Sequence, residues 1–522
     1  MKAFGLVAVA VLVTAASACS GTRRPDIETH AIPSEDVLAS PSDSIERALD
    51  ALPGLARSTL ERTGVPGLAV AVVHGGETVF AGGYGVKALG SDDPVDADTV
   101  FQIASLSKPV GATVVATQVS AGVVEWSSPV AELLPDFALA DAWVTQHVTV
   151  GDLYSHRSGL PAAAGDDLED IGYDRDYVLS HLVYEPLDSF RTAYHYANFG
   201  MTAGAEAVAV AAGAGWDDLA EHALFEPLGM TSTSARYEDF LARKNRATIH
   251  AKVGDSFQAL YQRNPDAQSP AGGVSSNVND LAKWMQLILA DGTFNGKQLI
   301  EPDALGPALS AQMITGPTAS PAQRTGQYGF GFNVGVQPSG RVSLSHSGAF
   351  VLGAGTNFMM LPESDIGIVV LTNAAPVGAA EAVAAQFMDL VQFGSITRDW
   401  INDYATAFGH YHAPVGDLVG QPRPEAPAAP QPLPHYVGEY RNDYFGPATV
   451  RVDGDHLVVE LGPADYRLPL DHWDGNSFSF VPTGENAPHG SRSSATFTMN
   501  GDTASALTLQ FFDTQGLGTW TR

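Results

Sequence analysis

Six prolines, at positions 422, 424, 427, 430, 432 and 434, sit in the stretch QPRPEAPAAPQPLPH (residues 421–435). Proline has no amide hydrogen and a fixed φ, so neither a helix nor an inner strand can run through this stretch, and extended polyproline II is expected. A domain boundary is therefore predicted here, with 396–434 as the linker. A chain of 522 residues is expected to divide into two or three domains in any case. Beyond the prolines, ATVRVDGDHLVVELG, YRLPLDHWDGNSFSFV and ATFTMNGDTASALTLQFF read as short strands broken by Asp-Gly and Asn-Gly turns. Residues 435–522 are expected to form a small all-β barrel or sandwich.

The longer part has a different texture. DSIERALDALPGLARSTLERTG carries Ile45, Leu49, Leu52 and Leu60 at helical spacing. Two β-rich runs then flank His74-Gly75-Gly76-Glu77, a hairpin signal that leaves Glu77 as an exposed turn residue. Helical patterns dominate from about 105 to 230, and strands return at YGFGFNVGV, VSLSHSG, GTNFMML and IGIVVLTN. Helix, hairpin, helical insert, strands, helix is the order of an α+β domain with a split antiparallel sheet, here 44–395. Trp284 and Met285 lie on an apolar helical stripe and are expected in the core. No repeat occurs at solenoid spacing.

The first 18 residues read as an export signal: Lys2 as the basic region, Phe4 to Val13 as a short apolar run, and Ala16-Ser17-Ala18 as the small cleavage site. The apolar run is too short to span a membrane. Cys19 follows, the one cysteine of the chain. Its position resembles a bacterial lipobox, which implies lipidation at Cys19, a tether over 19–43 and a periplasmic, membrane-anchored lipoprotein. A plain signal peptide fits the same bond. Either way the protein is expected to be exported and without disulfides.

Hydrophobic residues make up 45% of the chain and charged residues 16%, which places it among globular rather than disordered sequences. The formal charge of −30 repels phosphate backbones, so no nucleic-acid partner is expected. The acidity itself is read as solubility.

Chemistry enters at FQIASLSKPVGATVVATQV (residues 101–119). Of seven lysines, Lys108 alone has a serine three residues before it, Ser105. On a helix that spacing stacks both side chains on one face. Burial among Val110, Val114 and Val115 would lower the lysine pKa and let it take the proton of a serine that is otherwise a poor nucleophile. The tetrapeptide alone is weak, because a capping serine ahead of a solvated lysine looks the same. Two further motifs strengthen it in order: Tyr196-Ala197-Asn198, then His346-Ser347-Gly348. Each is cheap by itself. Tyr440-Arg441-Asn442 and His74-Gly75-Gly76 match them too, so the ordered triple carries the weight. His156 in SHRSG is read as a structural hydrogen-bonder, and no Gly-x-Ser-x-Gly suggests an α/β-hydrolase.

With the supporting stretches DLYSHRSGLP, FEPLGMTSTS, SPAGGVSSNVNDLAKWM and SHSGAFVLGAGTNFMMLPESDIGIVVLTN, the chain resembles the serine β-lactamase and D-alanyl-D-alanine carboxypeptidase group over about residues 45–390. The likeness is to its class C and esterase-like branch. HYVGEYRNDYFGPATVRV resembles the lipocalin-like barrel appended to some of these hydrolases. The resemblance implies a five-stranded antiparallel sheet flanked by helices, a helical subdomain, and a cleft between them. It implies Ser105 as nucleophile, Lys108 and Tyr196 sharing the proton transfers, and Asn198 orienting Lys108 and a substrate amide. It gives the oxyanion hole to the backbone N–H groups of Ser105 and Ala349, and it implies no metal or cofactor.

One departure matters. The third motif of the penicillin-type enzymes usually opens with lysine, and here it opens with His346, which is neutral at pH 7 and holds a carboxylate weakly. The expectation is therefore an exported serine hydrolase acting on an amide or ester of a small peptide-like substrate. A strict carboxypeptidase or β-lactamase and a non-catalytic peptide receptor are the alternatives.

Overall fold

In the computed structural model, which describes residues 37–318 and 320–522, the front of the chain is built on one eight-stranded antiparallel sheet. The export signal and Cys19 lie outside the described residues. The strands are β1 (Gly67–His74), β2 (Glu77–Gly85), β3 (Met313–Ile314), β4 (Gln327–Tyr328), β5 (Asn333–Val336), β6 (Val342–Phe350), β7 (Ala354–Leu361) and β8 (Ile366–Thr372), in the spatial order β2-β1-β8-β7-β6-β5-β4-β3. The five long strands, β2 to β6 in that order, are those the resemblance implies. The short β5, β4 and β3 extend the sheet beyond β6, on the side where the cleft opens. β1 pairs with β8 from Leu68↔Thr372 to His74↔Ile366, so the sheet is split by the long insert between β2 and β3.

Strict alternation along β1 fixes both layers. Leu68, Val70 and Val72 pack with α1 (Ser44–Thr63) and α5 (Ala379–Phe393), while Ala69, Ala71 and Val73 face the opposite core, shared with α4 (Val278–Leu289). A strand covered on both faces needs the near-continuous apolar run that β1 has. The β1–β2 turn places Gly75 and Gly76 at φ +62° and +75°, the two left-handed positions of a tight hairpin, and Glu77 is exposed.

Helix α2 (Ser107–Ser120) runs behind the sheet, and every residue from Ser107 to Ala116 is buried, Lys108 included. Trp284 and Met285 are core residues as expected, and the Trp284 indole N–H donates to Thr113 Oγ1 on α2 at 3.0 Å.

The C-terminal strands are β9 (Gly438–Tyr440), β10 (Ala448–Asp453), β11 (His456–Leu461), β12 (Tyr466–Asp474), β13 (Ser477–Phe480), β14 (Ser493–Asn500), β15 (Thr503–Leu509) and β16 (Thr519–Thr521), paired in that sequential order. Arg441 and Thr521 exchange backbone hydrogen bonds of 2.8 and 2.9 Å, which nearly closes the sheet into a barrel. Tyr436, Tyr440, Phe497 and Trp520 fill it. The barrel does not hang free. Tyr173 and Tyr177 donate to the carbonyls of Phe445 and Tyr444 at 3.0 and 3.2 Å, and Tyr444 donates to Glu185 at 2.5 Å. Between the domains, α6 (Trp400–Phe408) and the turn after it bring Phe408, His410 and Tyr411 to the cleft.

Trp284→Ala removes the largest fully buried side chain between α2 and the sheet. Thermal unfolding followed by near-UV circular dichroism should show a loss of about 3–5 kcal/mol in stability, with a matching fall in the apparent midpoint.

Candidate active site

Ser105 sits in a single 3-10 turn (Ala104–Leu106) that leads into α2. Ala104 before it has φ +48°, a conformation few non-glycine residues adopt, and the strained turn presents Ser105 at the cleft. Strand β6 passes directly behind. A Cβ on Gly348 would meet Thr356 Oγ1 at 2.3 Å, Ile103 O at 2.4 Å and the Ser105 backbone nitrogen at 3.0 Å, so only glycine fits. Its absence of a side chain is what lets Ala349, one residue on, line the cleft beside Ser105.

Lys108 is fully buried one turn after Ser105. Its Nζ lies 3.1 Å from Ser105 Oγ, 2.7 Å from Asn198 Oδ1 and 2.9 Å from the Ala271 carbonyl, and 4.5 Å over the centroid of the Tyr196 ring. Burial pushes its pKa down from 10.5 to about 7, against the opposing pull of Asp166. The neutral fraction at pH 7 thereby rises from about one in three thousand to about one half. The geometry also fixes where the lone pair goes. Asn198 Oδ1 and the Ala271 carbonyl can only accept, so they take the two N–H bonds of the neutral amine, and the lone pair faces the Ser105 hydroxyl.

Asn198 starts α3 (Asn198–Ala212), and its amide is held at both ends. Its Nδ2 donates to Asp166 Oδ1 and Oδ2 at 3.2 and 3.0 Å, which leaves Oδ1 for Lys108. Asp166 has its own pKa raised by burial and by Glu169 and Asp167, with Lys108 opposing. Burial also raises the Tyr196 phenol well above 10, the neighbouring Ser105 hydroxyl pulling the other way, so the phenol keeps its proton at neutral pH. Tyr196 is positioned through His156: the Ala197 N–H donates to His156 Nδ1 at 3.2 Å, and the two rings lie 4.5 Å apart. His156 itself is buried with φ +57° and plays the structural part expected of it.

His346 lines the cleft on β6, and burial, reinforced by Lys108, depresses its pKa to about 3. Both ring nitrogens are engaged. Nδ1 lies 2.7 Å from the Ser347 carbonyl and must donate to it, so Nε2, 2.9 Å from Tyr328, accepts the phenol proton. The imidazole therefore presents neither a positive charge nor a spare N–H to a substrate. Ser347 Oγ accepts from Asn357 Nδ2 at 3.2 Å and faces the cleft. The cleft has a volume of about 610 Å³.

The structure thus brings Ser105, Tyr196, Asn198, His346, Ser347 and Ala349 to one cavity, with Gly348 behind them and Lys108 buried beneath, bonded to Ser105 and Asn198. Sequence reasoning did not find Asp166, Tyr328 or the Ala271 carbonyl. No catalytic motif marks them; a carboxylate, a phenol and a backbone carbonyl from three separate segments meet only in the fold.

The chain belongs to the beta-lactamase family, whose model matches residues 45–393, and residues 422–519 match a domain of unknown function (DUF3471). It is a serine hydrolase of that family. Among curated relatives, the unguisins hydrolase of Aspergillus campestris is 27% identical over 82% of this chain and 81% of its own length. Penicillin-binding protein 4 of Amycolatopsis lactamdurans is 31% identical over 48% of this chain and 66% of its own. The octameric penicillin-binding protein homologue from Pyrococcus abyssi shares the fold with a TM-score of 0.58 at 18% identity, covering 88% of this chain and 98% of that one.

The pH profile follows from Lys108. Below about pH 7 the ammonium has no lone pair to offer, so kcat/KM on any turned-over ester should fall tenfold per pH unit, and level off above it. Lys108→Arg, which stays charged at every accessible pH, should abolish the profile together with the activity.

Proposed function

We propose that the protein cleaves an amide or ester bond of a small peptide-like substrate through a Ser105 acyl-enzyme. The observation that carries this reading is the buried Lys108 Nζ, 3.1 Å from Ser105 Oγ with its pKa brought to about 7. Ser105 Oγ bonds to the carbonyl carbon as its proton passes to Lys108. The backbone N–H groups of Ser105 and Ala349 hold the oxyanion. When the scissile bond breaks, the leaving group takes a proton from the Tyr196 phenol, which Lys108 replaces. Water then attacks the acyl-enzyme, gives its proton to Lys108, and Ser105 leaves reprotonated. A donor kept protonated by burial beside a base kept half neutral is the pairing such a sequence requires.

The unguisins hydrolase and penicillin-binding protein relatives are consistent with amide substrates of peptide type. The penicillin-binding protein likeness favours a second reading, a carboxypeptidase or β-lactamase in the strict sense. Against it stands His346, uncharged and with both nitrogens occupied, where such enzymes hold a substrate carboxylate. A purely receptor-like role would have no use for a lysine buried at the cost of its charge.

We place the protein outside the cytoplasm, held to a membrane through lipidated Cys19, on the strength of the leader sequence alone. Cys19→Ser should then move it from the membrane to the soluble fraction with unchanged kcat and KM. A wild type already soluble would leave the plain signal peptide.

For the chemistry, a fluorophosphonate should label Ser105 in an intact-mass and peptide-mapping experiment. Ser105→Ala should lose both the label and turnover of p-nitrophenyl esters, by about 10³-fold or more, while Ser107→Ala keeps much of both. Undiminished hydrolysis by Ser105→Ala would sink the assignment.

A further inference from the structure

Resting on the Ser105 reading, we propose that the end of the cleft roofed by the C-terminal barrel is an ammonium subsite, built by Glu169, Glu485 and Asp166, that receives a free amine on the acyl part of the substrate. The two ends of the cleft differ. Tyr196 protonates the leaving group, so the leaving group lies on the side of Tyr196, His346 and Tyr328. Tyr194 on that side also lines a second cavity of about 780 Å³, into which a leaving group can extend. The acyl part must run the other way, past Ala349 towards Phe350 and Val351. Phe350 is four residues from His346 along β6, about 13 Å at strand rise.

That second end is closed by the loop between β13 and β14. The Glu485 carboxylate accepts the Val351 N–H and, at 3.4 Å, the Leu352 N–H, immediately beyond the oxyanion strand. Asp170 anchors the same loop from the helical side, accepting the N–H groups of Glu485 and Asn486 at 3.1 and 3.0 Å. The barrel loop is thus tied to both walls, and the acyl group ends against it.

The chemistry of this end is carboxylate in excess. Asp166, Glu169 and Glu485 line it against one guanidinium, Arg263, which lies over the Phe350 ring. Arg263 spends its charge on Glu169 Oε2 at 2.6 Å, with Glu485 3.9 Å away. Glu169 Oε1 is left buried with no hydrogen-bond partner among the described residues. An acceptor stranded in that way costs free energy until a donor reaches it, and an ammonium supplies both donor and charge. Consistently, burial raises Glu485 to about 7 and Asp166 well above the usual carboxylate range; Arg263 resists at the first, and Glu169 and Asp167 add to the second. A cation entering here would take the place of the protons these groups otherwise hold.

The test compares p-nitroanilides with a free amine against their N-acetyl and N-succinyl forms, for D- and L-alanyl, glycyl-alanyl and 6-aminohexanoyl groups, with the full chain. At least one free-amine substrate should exceed its N-acetyl partner by tenfold or more in kcat/KM. That ratio should shrink threefold or more in Glu169→Gln and Glu485→Gln, a readout that partial misfolding does not move. N-acetyl or N-succinyl substrates hydrolysed as well as or better than the free amines would overturn the subsite. So would an unchanged ratio in both variants, or a wild type labelled at Ser105 by fluorophosphonate that turns over no free-amine substrate. A wild type that takes no label and turns over nothing would instead refute the Ser105 reading.

Discussion

The interior position of the Lys108 ammonium is the constraint on which the site depends. An isolated buried charge is costly, and the protein resolves this by letting the amine go half neutral, while two acceptors meet its N–H bonds and the Tyr196 ring lies against the charged form. Each of those partners comes from a different part of the chain: Asn198 from the start of α3, Ala271 from the segment ahead of α4, Tyr196 from the loop over His156. The helical subdomain and the sheet domain are held in register around this one nitrogen. A shift of either would leave a donor or the amine itself unsatisfied in the interior.

The same logic extends outward in shells. Asn198 can offer its oxygen to Lys108 because Asp166 takes its N–H bonds, and Asp166 tolerates burial because the amide nitrogen lies against it. His346 is fixed by Tyr328 on one side and its own strand on the other. These contacts leave the cleft around Ser105 with little free positive charge. They also explain why carboxylate recognition of the penicillin type has no foothold at this position.

The C-terminal barrel belongs to this arrangement instead of following it as an appendage. Its core is continuous with that of the helical subdomain, whose Tyr173 and Tyr177 donate to barrel carbonyls, and its loop carboxylate Glu485 is tied to the wall of the cleft. A domain separated in sequence by six prolines therefore shapes the acyl end of the active site.

Much was legible beforehand, and for a physical reason: periodicity, turn chemistry and short motifs are local. The apolar run of β1, the Gly75-Gly76 hairpin, the stripe of Trp284 and Met285, and the Ser105–Lys108 spacing each depend on neighbours a few residues away. The five long strands, and β5 within YGFGFNVGV, followed from these signals and the family likeness, whereas β3 and β4, of two residues each, are too short to leave a pattern. What the tertiary structure alone decided is the environment of each group. Asp166, Tyr328 and the Ala271 carbonyl became site residues through contacts across 32, 18 and 163 residues. His346, read from sequence only as a neutral group, has both nitrogens occupied because Tyr328 from another strand meets it. Glu485 reaches the cleft from the far side of the proline segment. Local sequence determines which groups can do chemistry, while pKa, tautomer and access depend on burial and on partners that only the folded chain brings together.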